Sequence, residues 1–166
     1  MPAAMPGIHH VTSITGDVQK NVDFYVSVLG LRFVKKSINQ DLPDTYHLYF
    51  ADYLGSPGTA MTFFGWPTWP SRRAGSGQVM SVAFAVPERS LDFWSKRLRE
   101  LGVEHERVSR FDADLIGLHD PDGIELELVG ARSELRVTPW AEGPVPAEHA
   151  IHGFHSVALV VAESSA

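Results

Sequence analysis

Three stretches of the sequence superimpose without a gap: HHVTSIT (residues 9–15), MSVAFAV (residues 80–86) and HSVALVV (residues 155–161). Their apolar and β-branched residues predict a β-strand in each case. The first two stretches are each followed by a helical pattern that ends at a glycine, Gly30 in one case and Gly102 in the other. The offset between these two copies is about 70 residues throughout, and a fixed long period of this kind indicates a duplicated unit.

The two copies share one order of elements. Residues 7–66 predict a strand, a helix and three further strands, which the turn signals DLPD and GSPG separate. Residues 78–130 predict the same order, with the turn DPDG before the last strand. The predicted helix of the second copy has one apolar face, formed by Leu91, Trp94, Leu98 and Leu101. We therefore predict an α+β fold built from paired βαβββ modules.

The region after the second copy has a different character. Residues 131–153 are rich in proline and glycine and are predicted to form a linker. Residues 154–166 match the first strand of each copy, and we predict that they begin a third module. On this interpretation the sequence is the front half of a longer protein. A module strand without its companions also predicts self-association into a homo-oligomer.

Composition argues against several classes of function. The chain has 166 residues and a net charge of −6, and its 14 basic residues form no run longer than two. Nucleic acid and anionic membranes are therefore not expected as partners. The absence of cysteine excludes disulfides, thiolate zinc sites and a cysteine nucleophile. No apolar run reaches about 18 residues and nothing resembles a signal peptide, so we expect a soluble cytoplasmic protein.

The first copy opens with two adjacent histidines, His9 and His10. Imidazole is an uncommon filler of strands and a frequent metal ligand. Side chains alternate along a strand, so His10 and Thr12 are predicted to share one face while His9 and Val11 point to the other. His10 and Thr12 are therefore candidates for a common site, which His9 joins only if the strand is irregular.

Four longer stretches carry a family resemblance, and these are GIHHVTSITGDVQKNVDFYVSVLGLRFVKKSIN (residues 7–39), TYHLYFAD (residues 45–52), PGTAMTFF (residues 57–64) and DPDGIELEL (residues 120–128). They resemble the vicinal oxygen chelate superfamily, which includes glyoxalases, bleomycin resistance proteins and extradiol dioxygenases. The first three are similar, more narrowly, to the hydroquinone-type ring-cleaving dioxygenases. The resemblance implies a cup-shaped sheet around a metal, Fe(II) or alternatively Mn(II), with a small aromatic substrate and O2 as the reactants.

The resemblance also implies roles for individual residues. His10 would be a metal ligand, and His9 and Thr12 would be catalytic residues next to the substrate. Non-haem iron(II) oxygenases bind the metal with two imidazoles and one carboxylate on a single face. The resemblance implies that the two other ligands come from a later module, beyond Ala166.

Glu127 is a lesser candidate for the carboxylate ligand. It lies four positions after Gly123, where the glyoxalase-like members of the superfamily carry a metal carboxylate. Thr62 occupies that place in the first copy, and Ser81 occupies the place of His10 in the second. In the alternative interpretation, Glu127 lies on a half-exposed strand and faces water.

Two further features have a structural interpretation. His47 alternates with Tyr49 on a predicted strand and is interpreted as an ordinary sheet residue. The aromatic pairs at 63–64 and 66–69 would belong either to the core or to the wall of an aromatic pocket.

Three functions remain open on the sequence alone. The leading one is the N-terminal half of a non-haem iron(II) ring-cleaving dioxygenase that acts on hydroquinone-like substrates. The second is a glyoxalase-like, metal-dependent isomerase or lyase that uses His10 and Glu127. The third is a metal-free module that binds a small aromatic ligand of the antibiotic type. Iron content and oxygen uptake separate the first function from the other two.

Overall fold

The computed structural model describes residues 7–67, 75–110, 112–132 and 137–162, which form two β-sheets with short helices. The strands are β1 (His10–Thr15), β2 (Arg32–Ile38), β3 (Tyr46–Ala51), β4 (Ala60–Gly65), β5 (Gln78–Val86), β6 (His105–Arg110), β7 (Ala113–His119), β8 (Glu125–Gly130) and β9 (Phe154–Val160). The helical segments are α1 (Val18–Asp23), a π-helical turn (Phe24–Val28), a 3-10 turn (Glu88–Ser90), α2 (Leu91–Glu100) and a second 3-10 turn (Ala147–His149).

The two sheets repeat one topology. The first has the order β1-β4-β3-β2, with β1 parallel to β4 and the other neighbours antiparallel. The second has the order β6-β7-β8-β5-β9, in which β5 is parallel to β8 and antiparallel to β9. We call β1–β4 with α1 module 1, and β5–β8 with α2 module 2. The predicted α+β class and the paired βαβββ architecture are confirmed.

The first helix is short and changes type along its length. The Asp17 carboxylate accepts a hydrogen bond from the backbone N–H of Lys20 and caps α1. From Phe24 the helix continues as a π-helical turn, and the buried Phe24 ring packs into the core. The chain leaves the turn at Gly30, where φ is 72° and a Cβ atom would collide with Val145. Only glycine fits at this position.

The second helix buries the face that its periodicity predicts, with one exception. Leu91, Trp94 and Leu98 are all buried in the core. Leu101 is 48% exposed, so its predicted place on this face is wrong. The reason is that α2 ends at Glu100 and Leu101 already belongs to the terminating turn. No helix in the described part of the chain is long and apolar enough to cross a membrane.

Both modules contribute to one core. Its largest fully buried side chains are Tyr25, Leu29, Leu48, Phe50, Met61 and Phe63 from module 1, and Phe84, Trp94, Leu98, Ile116, Leu118 and Leu126 from module 2. Polar contacts cross the same boundary. The Tyr25 hydroxyl donates to the Asp120 carboxylate at 3.1 Å, and the Arg97 guanidinium donates to the carbonyls of Ser27 and Val28. Packing and hydrogen bonds therefore hold the modules to each other.

β9 is attached to the edge of the second sheet. It pairs antiparallel with β5, and the Phe154 ring stacks on Phe84 with centroids 5.2 Å apart. Further along, Leu159 is 62% exposed and Val161 is 64% exposed. The end of this strand therefore presents apolar side chains that no described residue covers.

Candidate active site

Each sheet has an inner face that belongs to the shared core and an opposite, outer face. On β4, Met61 and Phe63 are completely buried in the core, so alternation directs Thr62 and Phe64 to the outer face. The register of the sheet gives the other members of this face, which are His10, Thr12 and Ile14 on β1, His47 and Tyr49 on β3, and Lys35 and Ser37 on β2. The first sheet therefore brings His10 and Thr12 to the same side as a second histidine.

His9 lies immediately before β1, so strand alternation does not govern it. Its Nδ1 atom is 3.1 Å from Nδ1 of His10, and the two exposed rings meet edge to face with centroids 5.3 Å apart. His9 therefore contacts His10 at the point where the regular strand begins, which is the irregularity that the alternation argument required for His9 to join the site. This hydrogen bond engages Nδ1 of His10 and leaves Nε2 as the nitrogen that a metal would meet.

The Thr12 hydroxyl is held by a neighbouring strand. Its Oγ1 atom lies 2.9 Å from Oγ1 of Thr62, which is 1% exposed. Thr62 stands at the place that Glu127 occupies in module 2, so module 1 has a hydroxyl there instead of a carboxylate. Thr12 itself is exposed, and its oriented hydroxyl can form a hydrogen bond with a small molecule on this face.

His47 and Tyr49 extend the outer face away from β1. The Tyr49 hydroxyl is 2.9 Å from Nδ1 of His47, whose ring centroid lies 4.2 Å from those of both Tyr49 and Phe64. Burial lowers the pKa of His47, and the electrostatic influence of the neighbouring Lys35 lowers it further. The ring is therefore neutral at neutral pH. Lys35 Nζ lies 5.3 Å from the centre of the Tyr49 ring.

The sequence predicts an ordinary sheet residue at His47 and does not predict its contact with Tyr49. The available signal was the spacing of two positions between them, which places both side chains on one face of a strand. Which face that was could not be read from β3 alone. It follows from the pairing of β3 with β4, in which His47 lies opposite Phe64 and Tyr49 opposite Thr62.

Some aromatic residues of the stretch 63–69 belong to the core and others lie on the outer face of the first sheet. Phe63 is fully buried in the core, whereas Phe64 lies on the outer face with its ring centroid 5.6 Å from that of Trp66. Phe64 and Trp66 therefore form an aromatic border next to His47. Residues 68 and 69, which complete the second pair, lie outside the described residues.

Glu127 is buried and is paired with a cation. It lies on the outer face of the second sheet, opposite Ala83 and Gly117, and only 7% of it is exposed. The Arg110 guanidinium donates a hydrogen bond to its carboxylate and neutralises its charge. The interpretation of Glu127 as a water-facing residue is therefore wrong, because the sheet covers it and a cation pairs with it.

The described residues fit a metal only in part. No group of three or more His, Cys, Asp or Glu side chains in the described ranges could hold a metal ion. His10 supplies an exposed imidazole, and His9 is bonded to its other nitrogen as a supporting residue would be. His10 thus offers one potential metal ligand, and the described residues do not complete a set of ligands around it.

The sequence matches a known family over most of its length. A model of the Glyoxalase/Bleomycin resistance protein/Dioxygenase superfamily matches residues 7–128. The relative named "Putative ring-cleaving dioxygenase MhqO", from Bacillus subtilis, is 43% identical over 154 residues, which cover 93% of this chain and 49% of the relative. "Chlorohydroquinone/hydroquinone 1,2-dioxygenase" from Sphingobium indicum is 36% identical over 165 residues, which cover 94% of this chain and 50% of the relative.

A solved structure agrees with these sequence matches. The crystal structure of a "putative dioxygenase" from Bacillus subtilis superimposes with a TM-score of 0.85 at 43% identity. The match covers 92% of this chain and 49% of that one. The chain therefore spans about half the length of the relatives that it matches.

Proposed function

The chain belongs to the Glyoxalase/Bleomycin resistance protein/Dioxygenase superfamily, and from this premise we propose that it is the N-terminal half of a non-haem iron(II) ring-cleaving dioxygenase for hydroquinone-like substrates. The relatives with ring-cleaving dioxygenase names support the reaction class. The observation that supports the site most is the position of His10. Its imidazole is exposed on the outer face of the first sheet, and its Nδ1 atom is engaged by His9.

The partners of β5 indicate where a strand that carries further metal ligands could pair next to His10. In module 2, β5 pairs with β8 on one side and antiparallel with β9 on the other. Its counterpart β1 pairs with β4 alone among the described strands. A strand added antiparallel to β1 would place its side chains beside His10. We infer that a later module supplies this strand, together with a second imidazole and a carboxylate.

The residues of this chain then have distinct tasks. When bound, iron(II), or Mn(II) in its place, would hold the substrate and O2 together and pass electrons between them. His9 holds a hydrogen bond at Nδ1 of His10 and so fixes the orientation of that ring. Thr12, oriented by Thr62, offers its hydroxyl to a reactant on the same face.

The structure weakens one alternative function. A glyoxalase-like centre within this chain would need His10 and Glu127 as ligands of one metal. These residues belong to different sheets, and Arg110 already neutralises Glu127. Release of that carboxylate to a metal would leave the guanidinium without its partner. A metal-free binding module remains the alternative that iron content distinguishes.

The test is His10→Ala in a protein that extends this chain to the length of its relatives. The unsubstituted protein is expected to hold about one iron per chain and to consume O2 with hydroquinone. His10→Ala should lose both properties, whereas Ser81→Ala, at the matching place in module 2, should lose neither. His9→Ala should keep the iron and turn over about tenfold more slowly. Metal analysis and an oxygen electrode measure both quantities, and a His10→Ala protein with unchanged iron and uptake would contradict the proposal.

A further inference from the structure

The pair formed by His47 and Tyr49 is not required by the fold. The register of the second sheet identifies the counterparts in module 2, since Leu115 pairs with Val129 as His47 pairs with Phe64. Leu115 is 4% exposed and packs in a small apolar cluster with Val129. The counterpart of Tyr49 is Gly117, opposite Glu127. The same topology is therefore built in module 2 with a leucine and a glycine.

The hydrogen-bonding state of the pair follows from burial. Nε2 of His47 is buried and has no hydrogen-bond partner among the described residues. An unpartnered N–H is rarer in protein interiors than an unpartnered acceptor, so we assign the proton of the neutral ring to Nδ1. Nδ1–H then donates to the Tyr49 oxygen across the 2.9 Å contact. The Tyr49 O–H group then remains available to donate a hydrogen bond to a ligand.

The surroundings favour an electron-rich oxygen as that partner. Tyr49 shares a row of the outer face with Thr62 and Thr12, next to His10. The exposed Lys35 ammonium lies 5.3 Å from the centre of the Tyr49 ring and adds positive charge at the same place. Phe64 and Trp66 border the face with aromatic surface. A hydroxylated aromatic ring matches both features.

We propose that Tyr49 donates a hydrogen bond to a ring hydroxyl of the aromatic substrate, and that His47 is the positioning residue that fixes the Tyr49 hydroxyl for this contact. The inference rests on the proposed function for the class of ligand. It adds a specificity element on β3, distant in sequence from the His9–Thr12 stretch. The contact selects aromatic rings with a hydroxyl group over rings of the same shape without one.

The test is a titration of this chain, without metal and under nitrogen, with hydroquinone and with 1,4-difluorobenzene. The two ligands have the same shape, but the fluorines are poor hydrogen-bond acceptors. Amide chemical shifts report the dissociation constants. Tyr49→Phe should weaken hydroquinone binding about tenfold, the equivalent of one hydrogen bond, and leave difluorobenzene binding unchanged. His47→Leu, which copies the residue of module 2, should weaken hydroquinone binding alone by about threefold.

The matched control is Tyr46→Phe, which removes a hydroxyl from the neighbouring exposed tyrosine of the same strand. It should change neither dissociation constant. Equal losses for both ligands would indicate a structural role and overturn the inference. So would hydroquinone binding that is unaffected by either variant, or absent from the unsubstituted chain. Because the titration needs neither iron nor O2, these results are independent of the oxygen-uptake test of His10.

Discussion

The two modules agree on their inner faces and differ on their outer faces. Inside, both place large apolar side chains on their third and fourth strands, and these merge into one core. Outside, module 1 has His10, Thr12, His47, Tyr49 and Thr62 where module 2 has Ser81, Ala83, Leu115, Gly117 and Glu127. The fold thus constrains one side of each sheet, whereas the residues of the other side differ between the two modules.

The largest effects are expected on the shared inner face. Phe63 on β4 and Leu128 on β8 are counterparts, and both are fully buried. Phe63→Ala and Leu128→Ala should each lower the free energy of unfolding by about 3–4 kcal/mol through lost burial and a residual cavity. Urea denaturation followed by tryptophan fluorescence and circular dichroism measures this. A single transition is expected for both variants, and separate transitions of the two modules would contradict a common core.

The next effect concerns the turns after β3 and β7, in which Asp52 and Asp120 each directly follow the strand and accept hydrogen bonds from backbone N–H groups of the turn. Burial raises the pKa of Asp120 to about 6 in the fold, from 3.8. The folded state therefore binds a proton more tightly than the unfolded chain does. The resulting stabilisation is present below about pH 4 and is lost as the pH rises through about 6, by an amount on the order of 2 kcal/mol. Tyr25, whose hydroxyl donates to Asp120, stays protonated because burial raises its pKa well above the usual value.

The variant that isolates this effect is Asp120→Asn, which retains an oxygen acceptor for the backbone N–H groups of Asp122 and Ile124. Stability of the two proteins should be compared by urea denaturation between pH 4 and pH 7. As the pH rises from 4 to 7, the free energy of unfolding of Asp120→Asn should increase relative to that of the unsubstituted protein. A difference that is constant over this range would show that Asp120 does not titrate in it.

A smaller effect is expected from the ion pair on the outer face of module 2. Arg110→Met leaves the Glu127 carboxylate buried without its cation, and should cost about 1–2 kcal/mol, since the Arg110 side chain is itself 46% exposed. The double variant Arg110→Met with Glu127→Leu should recover most of this loss, because the apolar cluster of Leu115 and Val129 lies beside it. Denaturation of Arg110→Met and of the double variant measures both changes in the free energy of unfolding. A double variant as unstable as Arg110→Met would show that the unpaired Glu127 carboxylate is not the cause of the lost stability.

The smallest effect on the fold, and a clear one on assembly, is expected at β9. The uncovered Leu159 predicts self-association of this chain. Leu159→Lys should shift the population towards the monomer while changing the free energy of unfolding by less than about 0.5 kcal/mol. His155→Lys adds a similar charge to an exposed position of the same strand and serves as the control. Sedimentation velocity at several concentrations measures the shift, and a chain that is monomeric throughout would refute the expectation.

Features that depend on one repeating period were predictable from sequence. The order of helices and strands along the chain, the stop at Gly30 and the buried face of α2 follow from apolar spacing and from glycine. The features that were not predictable depend on which strands become neighbours. Arg110 contacts Glu127 only because β6, β7 and β8 are neighbours in the sheet. The assignment of His47 to the outer face requires the pairing of β3 with β4. The contact of His9 with His10 depends on the residue at which the regular strand begins.

The parallel pairing of β1 with β4 also determines when the site can form. In this pair His10 lies opposite Ala60, with α1, β2 and β3 between them in sequence. The antiparallel neighbours β2, β3 and β4 can assemble through short connections, whereas β1 must close a long loop to join them. A chain emerging from the ribosome therefore has no fixed place for His10 until Gly65 has been made. A metal ion that reached the nascent chain before that point would encounter two histidines on a segment that is not yet folded.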